Sequence, residues 1–183
     1  MPAALADGLG VEAAAADAGD PEALLGAIDQ LGPPEVLIYN AAVLQESPLA
    51  DLTSERMARD WAVNVGGAVA AARHVAPGMV ARGRGAILFT GGGLAHEPWP
   101  QWTSLAMGKA ALLNFSAALG KELEPAGVTV ATVTIKGIIE AGGPFDPDRI
   151  AEEYLRLAEA PVGEVAREVV FAPVGSDPDY NAP

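Results

Sequence analysis

Apolar residues fall along this chain in two rhythms, short unbroken runs of strand length and longer stretches in which they return every three or four positions. Val36-Leu37-Ile38-Tyr39, Ala86-Ile87-Leu88-Phe89 and Val128 to Ile135 are runs of the first kind. Val36 to Tyr39 shows no polar alternation, as expected of a strand covered on both faces. The run from Val128 is rich in β-branched residues, which suits a pleated surface. Val11 to Ala16 is a first candidate strand, although alanine is a poor strand former, and Val169-Val170-Phe171 suggests a last short one.

Helical stretches lie between these runs. Asp20 and Pro21 open a helix to about Leu31, as N-cap and first helical residue, and Gly32-Pro33-Pro34 stops it. Thr53 or Ser54 caps a long helix reaching Arg82, ended by Gly83 and Gly85. After a loop from Thr90 to Pro100, a second long helix covers Gln101 to Glu124 and closes at Pro125 and Gly127. Asp146 caps a helix over 147–158. Gly8-Leu9-Gly10 reads as the end of a helix, and the tail from about 172, rich in Asp, Pro and Gly, as loop. Strands alternating with helices predict βαβ units, hence an α/β fold of three layers around a parallel sheet. With no internal repeat and no linker, residues 1–183 form one domain.

Composition narrows the function. Twenty-four acidic against eleven basic side chains give a net charge of −13, which repels phosphate backbones and anionic membrane surfaces. Nucleic acid and membrane are therefore excluded as partners. The absence of cysteine excludes a disulfide framework, a thiolate metal site and a cysteine nucleophile. The start has no signal-peptide pattern, and no window reaches the roughly 18 apolar residues of a membrane span. A cytoplasmic protein is expected.

Four short motifs then stand in order on the predicted elements. Asp17 follows the first candidate strand, Tyr39-Asn40-Ala41-Ala42 ends the next, Asn64 lies in Val63-Asn64-Val65-Gly66 on the first long helix, and Lys109 in Gly108-Lys109-Ala110-Ala111 on the second. In this arrangement the chain, from about Val11 to Phe171, resembles the short-chain dehydrogenase/reductase family, whose members build an NAD(P)-binding Rossmann sheet. The resemblance implies NAD or NADP as cofactor. It places Asp17 near the adenine ring, and Asn40 and Thr90 beside the nucleotide. Asn64 would hold a water next to Lys109, which occupies the position of the lysine in the family's Tyr-x-x-x-Lys motif. Lys136-Gly137-Ile138-Ile139-Glu140-Ala141 is similar to the loop where Ile139 would meet the nicotinamide amide through its backbone. Pro and Thr of that loop are replaced by Lys136 and Ala141, which leaves the phosphate end less well held.

Two departures bear on activity. The family opens with a strand, a glycine-rich turn and a helix N-terminus that receives the pyrophosphate. No such unit is legible here, so an N-terminally incomplete sheet is expected, short of about 40 to 50 residues, and weak or absent cofactor binding with it. Secondly, the family's tyrosine stands four residues before the lysine and works as general acid or base, its phenol acidified by the lysine's charge. Leu105 stands there, and Gly92 stands at the supporting serine's position. Two readings follow: a divergent NAD(P)-dependent oxidoreductase of unknown substrate with impaired or absent tyrosine chemistry, or an inactive relative that binds a ligand or a protein.

Each residue also has a plainer reading. Asn40 suits a strand exit, Asn64 a helix-interior hydrogen bond, and Lys109 a surface lysine. Gly91-Gly92-Gly93 suits a flexible loop beside the sheet edge. His96 is the one loop group with an ordinary pKa near neutrality, but an exposed histidine explains it as well. Asp146, Asp148, Glu152 and Glu153 serve as helix cap and early-turn acids, not as a metal site. The helices spanning 54–82 and 101–124, rich in alanine, are expected to pack against a second copy in a homodimer or tetramer. A bared edge on Val36–Tyr39 would add to that need, unless the Val11 segment slides in to pair with it.

Overall fold

The computed structural model describes residues 10–172. The helix end read before Gly10 and the loop tail after 172 lie outside them. Four strands, β1 (Val36–Tyr39), β2 (Gly85–Gly92), β3 (Val128–Ile135) and β4 (Glu168–Phe171), make one parallel sheet in the order β1-β2-β3-β4. Among the described residues five α-helices connect or flank them: α1 (Pro21–Leu31), α2 (Ser54–Trp61), α3 (Gly67–Arg82), α4 (Thr103–Leu123) and α5 (Pro147–Glu159).

The register explains the layering. Leu37 lies opposite Ile87, Ile87 opposite Val130, and Val133 opposite Val169, so apolar residues of neighbouring strands line up on each face of the sheet. Tyr39, Ile87, Phe89, Val128 and Val130 meet Ala68, Ala72, Val75 and Met79 of α3 and Leu112 of α4. Small residues on α3 let that helix approach the sheet closely. Leu24 and Ile28 of α1 complete this layer. On the other face Leu88, Ala131, Val133 and Ile135 meet Ile150, Tyr154 and Leu157 of α5. The result is the three-layer parallel α/β sandwich of a Rossmann-like fold.

The caps form as expected. Asp20 accepts from the amides of Glu22 and Ala23 at 3.0 and 3.3 Å, Thr53 from Arg56 at 3.1 Å, and Asp146 from Asp148 at 2.8 Å. Two expectations are corrected. Val11 to Ala16 is not a strand: four of its six residues are alanine, with little apolar area to bury, and the segment is almost wholly exposed and pairs with nothing. It therefore does not slide against β1, whose outer edge is unpaired among the described residues, with Val36 and Ile38 exposed. The helix read as continuous from Ser54 to Arg82 is also interrupted, by a π turn over Ala62–Gly66. Such turns widen a helix locally and re-aim its side chains. The Tyr39 hydroxyl, its pKa pushed up to about 12 by burial, donates to the Val63 carbonyl within that turn at 2.5 Å.

Candidate active site

A cleft of about 450 Å³ opens at the carboxyl ends of β1, β2 and β3, where ligands of open α/β sheets bind. The strands carry Asn40, Thr90, Gly91, Gly92 and Ile135 to its floor, and α4 contributes Leu105 and Lys109 to its wall. Trp99, Trp102, Leu44 and Ile139 enclose it from the loops. β2 runs on through Gly91 and Gly92, so these glycines belong to the sheet and not to a flexible loop.

Lys109 is not a surface lysine. It is 9% exposed, and its ammonium donates to the Thr90 carbonyl at 2.6 Å. Burial pushes it down to about 8, since the charged form loses its hydration. Thr90 is tied from the opposite face of the sheet, its hydroxyl bonded to that of Tyr154 at 2.6 Å. Burial raises the Tyr154 phenol, and this hydrogen bond offsets part of the rise.

Asn64 stands in the π turn, behind the lysine's helix. Its Oδ1 accepts from the amide of Val43 at 2.7 Å, which fixes the chain leaving β1, and its buried Nδ2 has no protein partner among the described residues. Gly108 makes room for it, since a Cβ there would lie 2.8 Å from Asn64 Cβ. The unpartnered amide is compatible with the water-holding role that the resemblance implies.

The structure thus brings Asn40, Thr90, Lys109 and Ile139 to one cleft, with Asn64 beside it. Asp17 stands apart. Its carboxylate accepts from Gly19 N at 2.8 Å in an exposed turn before α1. Leu105 and Gly92, at the family's tyrosine and serine positions, face the same cleft as Lys109. Ser104 and Thr103 turn away as helix geometry predicts, to Asp60 at 2.8 Å and to the Pro100 carbonyl at 3.0 Å. His96 is not a cleft residue, and its ring is bonded to Glu168 at 2.7 Å. Burial alone would raise Glu168, but hydrogen bonds from Thr134 and His96, with the charges of His96 and Lys136, outweigh it and hold the carboxyl low.

Sequence reasoning missed Trp99, the second aromatic wall. Its signal was a tryptophan held between Pro98 and Pro100 in a loop that follows a strand's carboxyl end.

A parallel sheet of this order, with a lysine from α4 at its carboxyl edge, defines a Rossmann-type site. A family model described as short chain dehydrogenase matches residues 6–141, and the chain belongs to that family of oxidoreductases. It is 27% identical to the uncharacterized oxidoreductase YvrD of Bacillus subtilis (strain 168), across 88% of this chain and 70% of that protein. It is 30% identical to L-xylulose reductase of Homo sapiens, across 86% of this chain and 65% of that protein. Among solved structures, a short chain dehydrogenase/reductase family protein superposes with a TM-score of 0.82 at 26% identity, covering 93% of this chain and 80% of the other. A short-chain dehydrogenase from Sphingobium yanoikuyae in complex with NADPH superposes with a TM-score of 0.66 at 30% identity, covering 74% and 56%. No helix among the described residues is long and apolar enough to cross a membrane.

Proposed function

We propose that this chain is a divergent NAD(P)-dependent oxidoreductase whose cleft receives the nicotinamide end of the dinucleotide, and that it lacks the tyrosine-based proton chemistry of its family. The observation that carries this reading is the convergence on one cleft of Lys109, Thr90, Asn40 and Ile139 with Leu105 and Gly92. The residues present fit the reactive end of the cofactor. Above Gly92, a side-chain carbon would meet nothing nearer than Lys109 Cε at 3.9 Å, which leaves space for a flat ring. Lys109 and Asn40 would hold ribose hydroxyls, and the backbone at Ile139 the carboxamide. NADPH of the Sphingobium yanoikuyae relative supports the assignment.

The dinucleotide, when bound, supplies or accepts a hydride. Reducing a carbonyl also requires a proton at its oxygen, and Leu105 has none to give. Wild type is therefore expected to reduce a panel of aldehydes and ketones at less than a hundredth of the roughly 10 per second of a median enzyme. Steady-state NADPH oxidation checks this. Turnover near the median would contradict it and show that another group delivers the proton.

Weak holding of the phosphate end is expected of the described residues, among which no glycine-rich strand-to-helix turn occurs, and the net charge of −13 opposes two phosphates. The alternative, a catalytically inactive relative acting through ligand binding or protein association, is favoured by the same Leu105 and Gly92.

We further propose a two-fold dimer through the helices spanning 54–82 and 101–124. Trp61 and Met107, 43% and 46% exposed, are large apolar residues on these segments that the protomer leaves uncovered. Light scattering at micromolar concentration is expected to return twice 18.6 kDa. A monodisperse protomer mass would contradict it.

A further inference from the structure

Lys109 lines the cleft as a buried amine with few partners. Among the described residues it has no ion pair, its one hydrogen bond is from Nζ to the Thr90 carbonyl, and no carboxylate lines the cleft. Gly92 places no side chain over its stem: a Cβ there would find Lys109 Cε and Cγ as its nearest neighbours, at 3.9 and 4.0 Å. At the position one turn earlier, Leu105 offers only an apolar surface, and Trp99 and Trp102 wall the same space. We propose that the amine of Lys109 forms a Schiff base with small apolar aldehydes, aromatic ones above all, that lodge between these side chains.

The neutral amine carries two N–H bonds and a lone pair. One N–H can keep its bond to Thr90 while the lone pair meets the carbonyl carbon. The nitrogen bonds to that carbon, the two amine hydrogens leave with the carbonyl oxygen as water, and a C=N bond remains. Nothing is oxidised or reduced, and no further reactant is needed. Desolvated lysines in apolar pockets are activated in this way. With Lys109 pushed down to about 8, about one amine in ten is neutral at pH 7, against about one in three thousand at the ordinary 10.5. The less basic amine is the weaker nucleophile, which leaves an advantage of about tenfold or more. The inference rests on the cleft and not on the dinucleotide reading.

The sequence holds three lysines, Lys109, Lys121 and Lys136, so two serve as internal references. The full chain is incubated at pH 7 with benzaldehyde, without dinucleotide, and sodium cyanoborohydride fixes any imine as a benzylamine located by peptide mass spectrometry. Lys109 is expected to be benzylated at least tenfold faster than exposed Lys121 or half-buried Lys136, whose ammonium is paired with Glu97 at 3.4 Å. Excess benzyl alcohol, which has the ring but no carbonyl, is expected to slow Lys109 alone. Gly92→Leu, which covers the lysine's stem, is expected to remove the preference while circular dichroism shows the fold retained. Equal rates at the three lysines would overturn the proposal, as would Lys109 labelling unaffected by benzyl alcohol or by a folded Gly92→Leu. The alcohol arm uses wild type and decides the matter even if the variant does not fold.

Discussion

Leu105→Tyr combined with Gly92→Ser is expected to raise NADPH-dependent carbonyl reduction by about 10² to 10⁴-fold over wild type, the usual contribution of a positioned acid. Both positions face the cleft that Lys109 lines, so the new phenol would stand one helical turn from an ammonium able to acidify it. The serine fits without strain: Gly92 is extended at φ −166, and no atom lies within 3.9 Å of its would-be Cβ. A cleft of about 450 Å³ can take the few extra atoms of tyrosine. The measurement is nicotinamide absorbance at millimolar NADPH, with either single change giving less than the pair. A folded double variant without gain would show that these two positions do not correspond to the family's acid and its partner.

The second large effect concerns stability. Lys109→Met is expected to stabilise the fold by about 1 to 3 kcal/mol at pH 7. The displacement of Lys109 from 10.5 to about 8, at about 1.4 kcal/mol per pH unit, costs the folded state on the order of 3 kcal/mol, and losing the bond to Thr90 returns about 1 kcal/mol of it. Between pH 8 and 10 the unfolded chain keeps a proton that folded Lys109 has released, so this group makes wild type more stable as pH rises. Above about pH 10 Tyr39 opposes it, because the folded phenol, pushed up to about 12, holds a proton that the unfolded one loses. Denaturant unfolding of both proteins at pH 7 and 9.5 checks the sign: the gap between them should narrow at the higher pH. A gap that widens, or a destabilised variant at pH 7, would contradict the burial of a largely unpaired amine.

Much of the fold was legible because local signals and burial agree. Val128 to Ile135 is a β-branched run that lies fully buried at the sheet's centre, and the caps at Asp20, Thr53 and Asp146 are local chemistry. The errors arose where tertiary contacts decide. Val11 to Ala16 has strand-like length, but a strand exists only with a partner. Gly91 looked like loop because glycine weakens strands, yet a Cβ there would lie 2.7 Å from Thr132 Cγ2, so close approach to β3 is what admits it. The π turn at Ala62–Gly66 has no periodicity of its own to betray it.

The site was legible in position but not in environment. Spacing and resemblance put Lys109, Leu105 and Gly92 together. Nothing local told that Lys109 would be buried with a backbone carbonyl as its partner, or that Tyr154 would reach Thr90 from the opposite face. Nor could the pairing of His96 with Glu168, 72 residues away in sequence, be read.

The most direct test of the proposed function is a titration of NADPH followed by tryptophan fluorescence, since Trp99 and Trp102 wall the cleft and Trp61 lies elsewhere. Saturable quenching is expected with a Kd between about 0.1 and a few mM, equivalent to about −5.5 to −3.5 kcal/mol, and Lys109→Met and Asn40→Ala should each weaken it severalfold. A Kd of about 1 μM would contradict the poorly held phosphate end. No saturable quenching up to about 10 mM would contradict dinucleotide binding in this cleft and leave the inactive, ligand-binding reading in its place.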